Sequence, residues 1–242
     1  MKIIGVIPAR YASSRFPGKP LADICGKPMI WWVYNQTKQV KSLSDVIVAT
    51  DDDRIGAVCA KLSIPFVLTS QKHRNHVERL YEVSEKIDAD VYVCVCGDEP
   101  LILPETIQKV IPDVVAMDEY FAKSLQRPFT DPAEVIDINT IKIVTDVKGR
   151  SLYMSRIPIP YPNKTLKFKY MEKVGVEAYN KKALDFFYHT EPGPLEKIED
   201  IVLLRFIENN IPVQYSTDEN YTLSVDTPKD LEVVRSILNK RQ

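Results

Sequence analysis

The stretch Ile3-Ile4-Gly5-Val6-Ile7-Pro8-Ala9-Arg10-Tyr11-Ala12-Ser13-Ser14-Arg15-Phe16-Pro17-Gly18-Lys19-Pro20 joins an unbroken apolar run to a loop of small and cationic residues. A strand buried on both faces reads as a continuous Val/Ile run rather than an alternating one, so Ile3 to Ile7 is expected to be an inner strand of a parallel sheet. The loop leaves that strand at its carboxyl end, where open α/β sheets bind ligands. Its backbone N–H groups can cradle phosphate oxygens, while Arg10, Arg15 and Lys19 neutralise a polyphosphate and the charge developing on a leaving group. A loop whose charges only keep it solvated would have the same composition; its position after a buried strand favours the phosphate site. It has neither the G-x-x-x-x-G-K-[ST] nor the G-x-G-x-x-G spacing, which excludes the two commonest glycine-rich phosphate loops.

The same pattern repeats outward. Apolar runs at Val46 to Ala49, Pro65 to Leu68 and Val91 to Val95 alternate with helical patterns over Met29 to Val40, Arg54 to Leu62 and Val77 to Ile87. Such alternation predicts βαβ units with right-handed crossovers. From about Tyr120 to Tyr179 the chain turns to short extended pieces with Pro128, Pro132, Pro158, Pro160 and Pro162, consistent with an antiparallel excursion or a dimerisation element. Helical spacing returns at Leu195, Ile198, Val202 and Phe206, and again at Leu231, Val234 and Leu238. The expected architecture is one α/β domain over residues 1–242, with a mixed, mostly parallel central sheet and an excursion at about 120–180 that carries acceptor and dimer contacts.

With 32 basic and 33 acidic side chains in 242 residues, no global field argues for a nucleic-acid partner or an anionic membrane surface. No apolar run approaches the roughly 20 residues that span a bilayer, so no membrane insertion is expected. The start Met1-Lys2-Ile3-Ile4 lacks the features of a signal peptide. Cys25, Cys59, Cys94 and Cys96 have no paired metal spacing, which suits a reduced, cytoplasmic protein. Cys94 and Cys96 would share one strand face, but two ligands do not make a zinc site. His73, His76 and His189 are too scattered to suggest a Ser/His/Asp triad or a histidine metal cluster.

Two further segments carry chemistry. Gly97-Asp98-Glu99-Pro100 follows the run Val91 to Val95 and places Asp98 at a strand's carboxyl end. It is either an ordinary turn or one ligand of a hard cation, since Mg²⁺ accepts one or two carboxylates together with substrate phosphates. In Ser224-Val225-Asp226-Thr227-Pro228-Lys229-Asp230, an N-cap Thr227, Pro228 at the first helical position and Asp230 explain themselves as a helix start. Asp226 is left over, either favouring the helix dipole or completing a metal site with Asp98. Together the segments describe Mg²⁺-assisted nucleotidyl transfer, in which positioning and charge stabilisation do most of the work.

Across nearly its full length the chain resembles the 3-deoxy-manno-octulosonate cytidylyltransferases, through IPARYASSRFPGKPL, GKPMI, VATDD, GDEPLI, LYMSRIPIP, PLEKIE and VDTPKDLE. The resemblance implies a glycosyltransferase-A-like α/β fold, a homodimer, CTP as donor and Mg²⁺ as cofactor. It assigns Arg10, Arg15, Lys19 and Asp98 to catalysis, with Ala9, Ser14, Arg79 and Cys96 joining the three cations around the nucleotide, and Asp98 with Asp226 to the metal. It marks Ser155, Arg156, Lys173, Glu177, Tyr179 and Glu199 for a small acidic acceptor.

The departures cluster on the acceptor side. The family's His-x-Gly-x-Tyr reads Lys173-Val174-Gly175-Val176-Glu177, and a Glu-Gln pair is replaced by Val202-Leu203. Its Ser-Gly-Thr reads Asn75-His76-Val77, and its Asn-x-Gln reads Cys94-Val95-Cys96. Aliphatic groups in place of buried hydrogen-bonding ones discriminate against a hydroxyl-rich ligand. A 3-deoxy-octulosonate-type sugar acid is therefore the family default, with a small phosphate or phosphonate as the alternative. A uridylyl- or guanylyltransferase would favour a Leu-Ala-Gly-Gly start that Ile7-Pro8-Ala9-Arg10 lacks, and a silent nucleotide-binding scaffold has no need of the full cation and carboxylate set.

Overall fold

The computed structural model describes residues 1–13, 15–165, 167–220 and 222–240. Ile3–Ala9 forms β1, and its side chains divide between two cores: Ile4 and Val6 pack on one sheet face, Ile3 and Ile7 on the other. After a small hairpin, β2 (Asp23–Ile24) and β3 (Lys27–Pro28), come α1 (Met29–Lys38), β4 (Asp45–Thr50), α2 (Asp53–Lys61), β5 (Phe66–Leu68), α3 (His76–Lys86) and β6 (Val91–Val95). These match the predicted alternation to within two residues. β1 pairs in parallel with β4 and β6, and β4 with β5.

The second half runs through α4 (Pro104–Gln108), β7 (Ala122–Pro128), α5 (Pro132–Val135), β8 (Lys142–Thr145), β9 (Ser151–Ser155), β10 (Met171–Asn180), α6 (Lys181–His189), α7 (Pro194–Glu199), α8 (Leu204–Glu208), β11 (Gln214–Thr217) and α9 (Pro228–Asn239). The sheet order is β11-β7-β10-β6-β1-β4-β5. β10 is antiparallel to both β6 and β7, and β11 is parallel to β7. Along this path among the described residues, β10 alone opposes the common direction, so the sheet is mixed and mostly parallel as expected. β8 pairs with β10 and β9, both antiparallel, which realises the excursion.

One expectation changes. The spacing of Leu195, Ile198, Val202 and Phe206 does not make one helix: Asp200 takes a left-handed conformation at φ 51° and ends α7, and α8 restarts at Leu204. Ile198 is consequently 80% exposed. The two short helices are tied by Arg205, fully buried, whose Nε and Nη2 donate to the Glu196 carboxylate at 2.6 and 2.5 Å. The last helix starts as its sequence predicts, with Thr227 and Asp230 capping each other's backbone N–H groups.

Candidate active site

Three chain segments meet over the carboxyl ends of β1 and β6. Gly97 turns the chain after β6 so closely against β1 that a Cβ there would stand 2.8 Å from the Pro8 carbonyl oxygen, which only glycine avoids. Val225 N–H donates to the Asp98 carbonyl at 2.8 Å, drawing the segment before α9 onto the same edge. The cationic loop folds back on itself: Gly18, left-handed at φ 72°, donates its N–H to the Tyr11 carbonyl at 2.9 Å. The Arg54 guanidinium covers the Tyr11 ring at 3.3 Å.

This folding places Lys19 between the two leftover carboxylates. Its Nζ donates to Asp98 Oδ2 at 2.7 Å and to Asp226 Oδ1 at 3.3 Å. Burial penalises the ammonium, but Asp98 and then Asp226 outweigh it and leave its pKa above the ordinary lysine value. Arg15 Nη2 donates to Asp226 Oδ1 at 3.0 Å, and its Nη1 to Asn139 Oδ1 at 3.0 Å, a contact no local signal announced. Burial, then the negative charge of Asp98, pushes the Glu99 carboxyl up to about 7, while the Thr222 hydroxyl donates to it at 2.7 Å.

A cleft of about 360 Å³ opens over this cluster, lined by Ala9, Arg10, Arg15, Lys19, Arg79, Cys96, Asp98 and Asp226 among others. Of the expected catalytic, nucleotide and metal residues, these eight share one cleft; Ser14 lies outside the described residues. Arg79 is a wall residue, buried and committed to Thr69 Oγ1 and, at 2.7 Å, Asp51 Oδ2. His73 and His76 also line the cleft, so two of the histidines that look scattered in sequence converge, each on a carboxylate. His73 Nε2 is 2.5 Å from Glu82 Oε2 and His76 Nε2 is 2.7 Å from Glu177 Oε2.

The expected acceptor residues fall into two groups. Lys173, Glu177 and Tyr179 lie on β10 and do not line the cleft themselves, reaching it only through the contact of Glu177 with His76: Lys173 Nζ is 2.6 Å from Glu177 Oε1, and the Tyr179 hydroxyl donates to Glu177 Oε2 at 2.6 Å. Glu177 is fully buried. Burial alone would raise its pKa, but Lys173 and then His76 hold the carboxyl well below the usual range, and the same pairing holds Lys173 above its own. Ser155, Arg156 and Glu199 form a separate clasp between β9 and α7, in which Ser155 Oγ donates to Glu199 Oε1 at 2.6 Å and Arg156 N–H to Oε2 at 3.0 Å. The Arg156 guanidinium is spent on the carbonyls of Glu199, Asp200 and Ile138, at 2.6 to 3.0 Å. Asp200 carries this clasp to the cleft rim.

Cations for a polyphosphate and oxygen ligands in one cleft of an α/β sheet define a nucleotidyltransferase. The cytidylyltransferase family model matches residues 4–219. The 3-deoxy-manno-octulosonate cytidylyltransferase of Vibrio campbellii is 41% identical, covering 100% of this chain and 99% of its own. That of Lawsonia intracellularis is 38% identical over 98% of this chain and 94% of its own. A solved CMP:2-keto-3-deoxy-manno-octonic acid synthetase complexed with CTP superposes with a TM-score of 0.92 at 35% identity, covering both chains fully. The inositol-1-phosphate CTP transferase from T. maritima shares the fold, with a TM-score of 0.69 at 16% identity over 98% of this chain and 95% of its own. The chain belongs to the cytidylyltransferase family, within the 3-deoxy-manno-octulosonate cytidylyltransferase group, and is a CTP-dependent nucleotidyltransferase.

Proposed function

We propose that the chain transfers CMP from CTP to a small acidic acceptor and releases pyrophosphate, with a 3-deoxy-octulosonate-type sugar acid as the default acceptor. The observation that carries the reading is the convergence of Arg10, Arg15 and Lys19 with Asp98 and Asp226 in one cleft. Arg10, Arg15 and Lys19 bind the triphosphate and neutralise the charge that builds on departing pyrophosphate. Ala9, Arg79 and Cys96, which line the same cleft, form the remaining nucleotide side of the site.

Asp98 and Asp226 suit a hard divalent cation: one carboxylate follows β6 and the other precedes the N-cap of α9, both line the cleft, and one ammonium already reaches both. They would hold Mg²⁺, which supplies charge stabilisation at the phosphates. Ser155, Arg156, Lys173, Glu177, Tyr179 and Glu199 form the acceptor side. Arg156 acts there by orienting the clasp, because its guanidinium is engaged with backbone carbonyls. A second reading, a small phosphate or phosphonate acceptor, is favoured by Leu203, buried where the family carries a polar residue, and by the internal pairing of Lys173 with Glu177.

Homodimerisation through the excursion is supported by the exposed Ile136, Ile138, Leu152, Ile157 and Tyr161. No helix among the described residues is long and apolar enough to cross a membrane, and a cytoplasmic location fits the free cysteines. The nucleotide assignment is tested by thermal shift with CTP, UTP, GTP and ATP, each with MgCl₂. A rise in melting temperature that is largest for CTP supports it; an equal or larger rise with another nucleotide refutes it.

A further inference from the structure

His76 and Glu177 stand 101 residues apart in sequence, yet His76 Nε2, on a residue that lines the cleft, is 2.7 Å from Glu177 Oε2. Glu177 is fully buried and kept ionised, chiefly against the cost of burial, by Lys173 and then His76. An ionised carboxylate only accepts hydrogen bonds, so the proton in this contact sits on His76 Nε2. That fixes the tautomer and orientation of the ring and leaves Nδ1 as its remaining basic nitrogen.

The carboxylate is itself held by groups independent of His76. Lys173 Nζ lies 2.6 Å from its other oxygen and the Tyr179 hydroxyl donates to Oε2 at 2.6 Å. The third neighbour, Cys94, has a thiol within 4.8 Å of both partners, and its hydrogen bond with Cys96 and then burial push its pKa up, so it stays protonated and adds no charge. The His76 side chain is 25% exposed and lines the same cleft as Cys96, Gly97, Asp98 and Lys19. A base oriented by a buried carboxylate and opening on a phosphate site is the arrangement that activates a hydroxyl nucleophile.

We propose that His76, oriented by Glu177, accepts the proton of the acceptor's hydroxyl as that hydroxyl attacks the α-phosphate. The step rests on the cytidylyl-transfer reading above. The hydroxyl oxygen forms a bond to the α-phosphorus while the bond from that phosphorus to the pyrophosphate oxygen breaks. The proton passes to Nδ1, and the resulting imidazolium is balanced by Glu177. Pyrophosphate departs against Arg10, Arg15 and Lys19. The dyad therefore selects an acceptor with a neutral hydroxyl, and it has no work to do for a phosphate or phosphonate, whose attacking oxygen is already ionised.

The test compares the full-length parent with His76→Ala and His76→Gln. Glutamine retains a donor for Glu177 and has no basic nitrogen, so it separates the base from a purely structural link. Pyrophosphate release is followed with CTP, MgCl₂ and either 3-deoxy-octulosonate, other 2-keto-3-deoxy sugar acids, or phosphate and phosphonate acceptors; CTP affinity and thermal melting are measured alongside. The expected result is turnover of a hydroxyl acceptor by the parent and a fall in kcat of roughly 10²- to 10⁴-fold in both variants. CTP affinity and acceptor KM stay near the parent values, and added imidazole restores part of the rate of His76→Ala. Parent-like kcat in His76→Gln, a loss confined to acceptor KM, or parent turnover with phosphate or phosphonate acceptors alone overturns the dyad while leaving cytidylyl transfer intact. Absence of parent turnover with every acceptor overturns both.

Discussion

Lys19 Nζ lies 2.7 Å from Asp98 Oδ2, so a cation of the loop after β1 is clamped to a carboxylate of the turn after β6. The contact joins two segments 79 residues apart and sets the charge balance of the cleft. Removing the carboxylate leaves Lys19 with Asp226 at 3.3 Å and takes away one of the two proposed metal ligands. Asp98→Asn is expected to lower kcat/KM by roughly 10²-fold or more, the scale of losing one charge-stabilising group. The Asp98 carbonyl still receives Val225 N–H, so melting should change little. Activity assays at several Mg²⁺ concentrations check this; parent-like activity at low Mg²⁺ would remove Asp98 from the site.

Glu177→Gln should destabilise the protein by about 3 to 5 kcal/mol, because it strands the buried Lys173 ammonium without its counter-charge. Urea denaturation of both proteins measures the difference. A change below ~1 kcal/mol would show that solvent or another group already serves Lys173.

The same pair has a defined pH signature. The folded-state pKa of Glu177 is depressed below its ordinary 4.5, so its contribution is present above that value and is lost as pH falls through the folded-state pKa. The folded-state pKa of Lys173 is raised above its ordinary 10.5, so its contribution is present below that value and is lost only as pH rises through the folded-state pKa. The pair's contribution to the parent's own stability should therefore be level from about pH 5 to pH 10 and fall in acid, whereas in Glu177→Gln burial lowers the pKa of the uncompensated Lys173 and stability recovers as pH rises. A parent whose stability is lost near neutrality with the titration of this pair would contradict the ion pair.

Gly97→Ala places a Cβ 2.8 Å from the Pro8 carbonyl oxygen, a backbone atom that cannot swing aside. The turn must shift, at a cost of about 1 to 3 kcal/mol, and Asp98 shifts with it. Both melting temperature and CTP affinity should drop. Unchanged CTP affinity would mean that the close approach does not position the site.

Much of this was legible because it is local. β6 has the predicted limits Val91 to Val95, since a buried strand needs only an apolar run, and Thr227 caps α9 because capping is decided within one turn. The insertion of β10 between β6 and β7 was not legible as topology, because strand pairing is decided by residues far apart in the chain. The break at Asp200 was hidden too: apolar spacing runs through it, and the buried Glu196 to Arg205 pair that folds α7 against α8 has no periodic signature. Arg10, Lys19, Asp98 and Asp226 could be singled out because each stands at a strand or helix end with no structural duty to absorb it. His76 could not, because its meaning depends on Glu177, and neither residue marks the other in sequence.

Cytidylyl transfer itself is tested most directly by incubating the protein with CTP labelled in its α-phosphate, MgCl₂ and 3-deoxy-octulosonate, with and without EDTA. Label is expected in a CMP-sugar acid, with one pyrophosphate released for each and loss of both when the metal is chelated. Absence of labelled product and pyrophosphate with this and every other acid tried, or the same yield in EDTA, would contradict this.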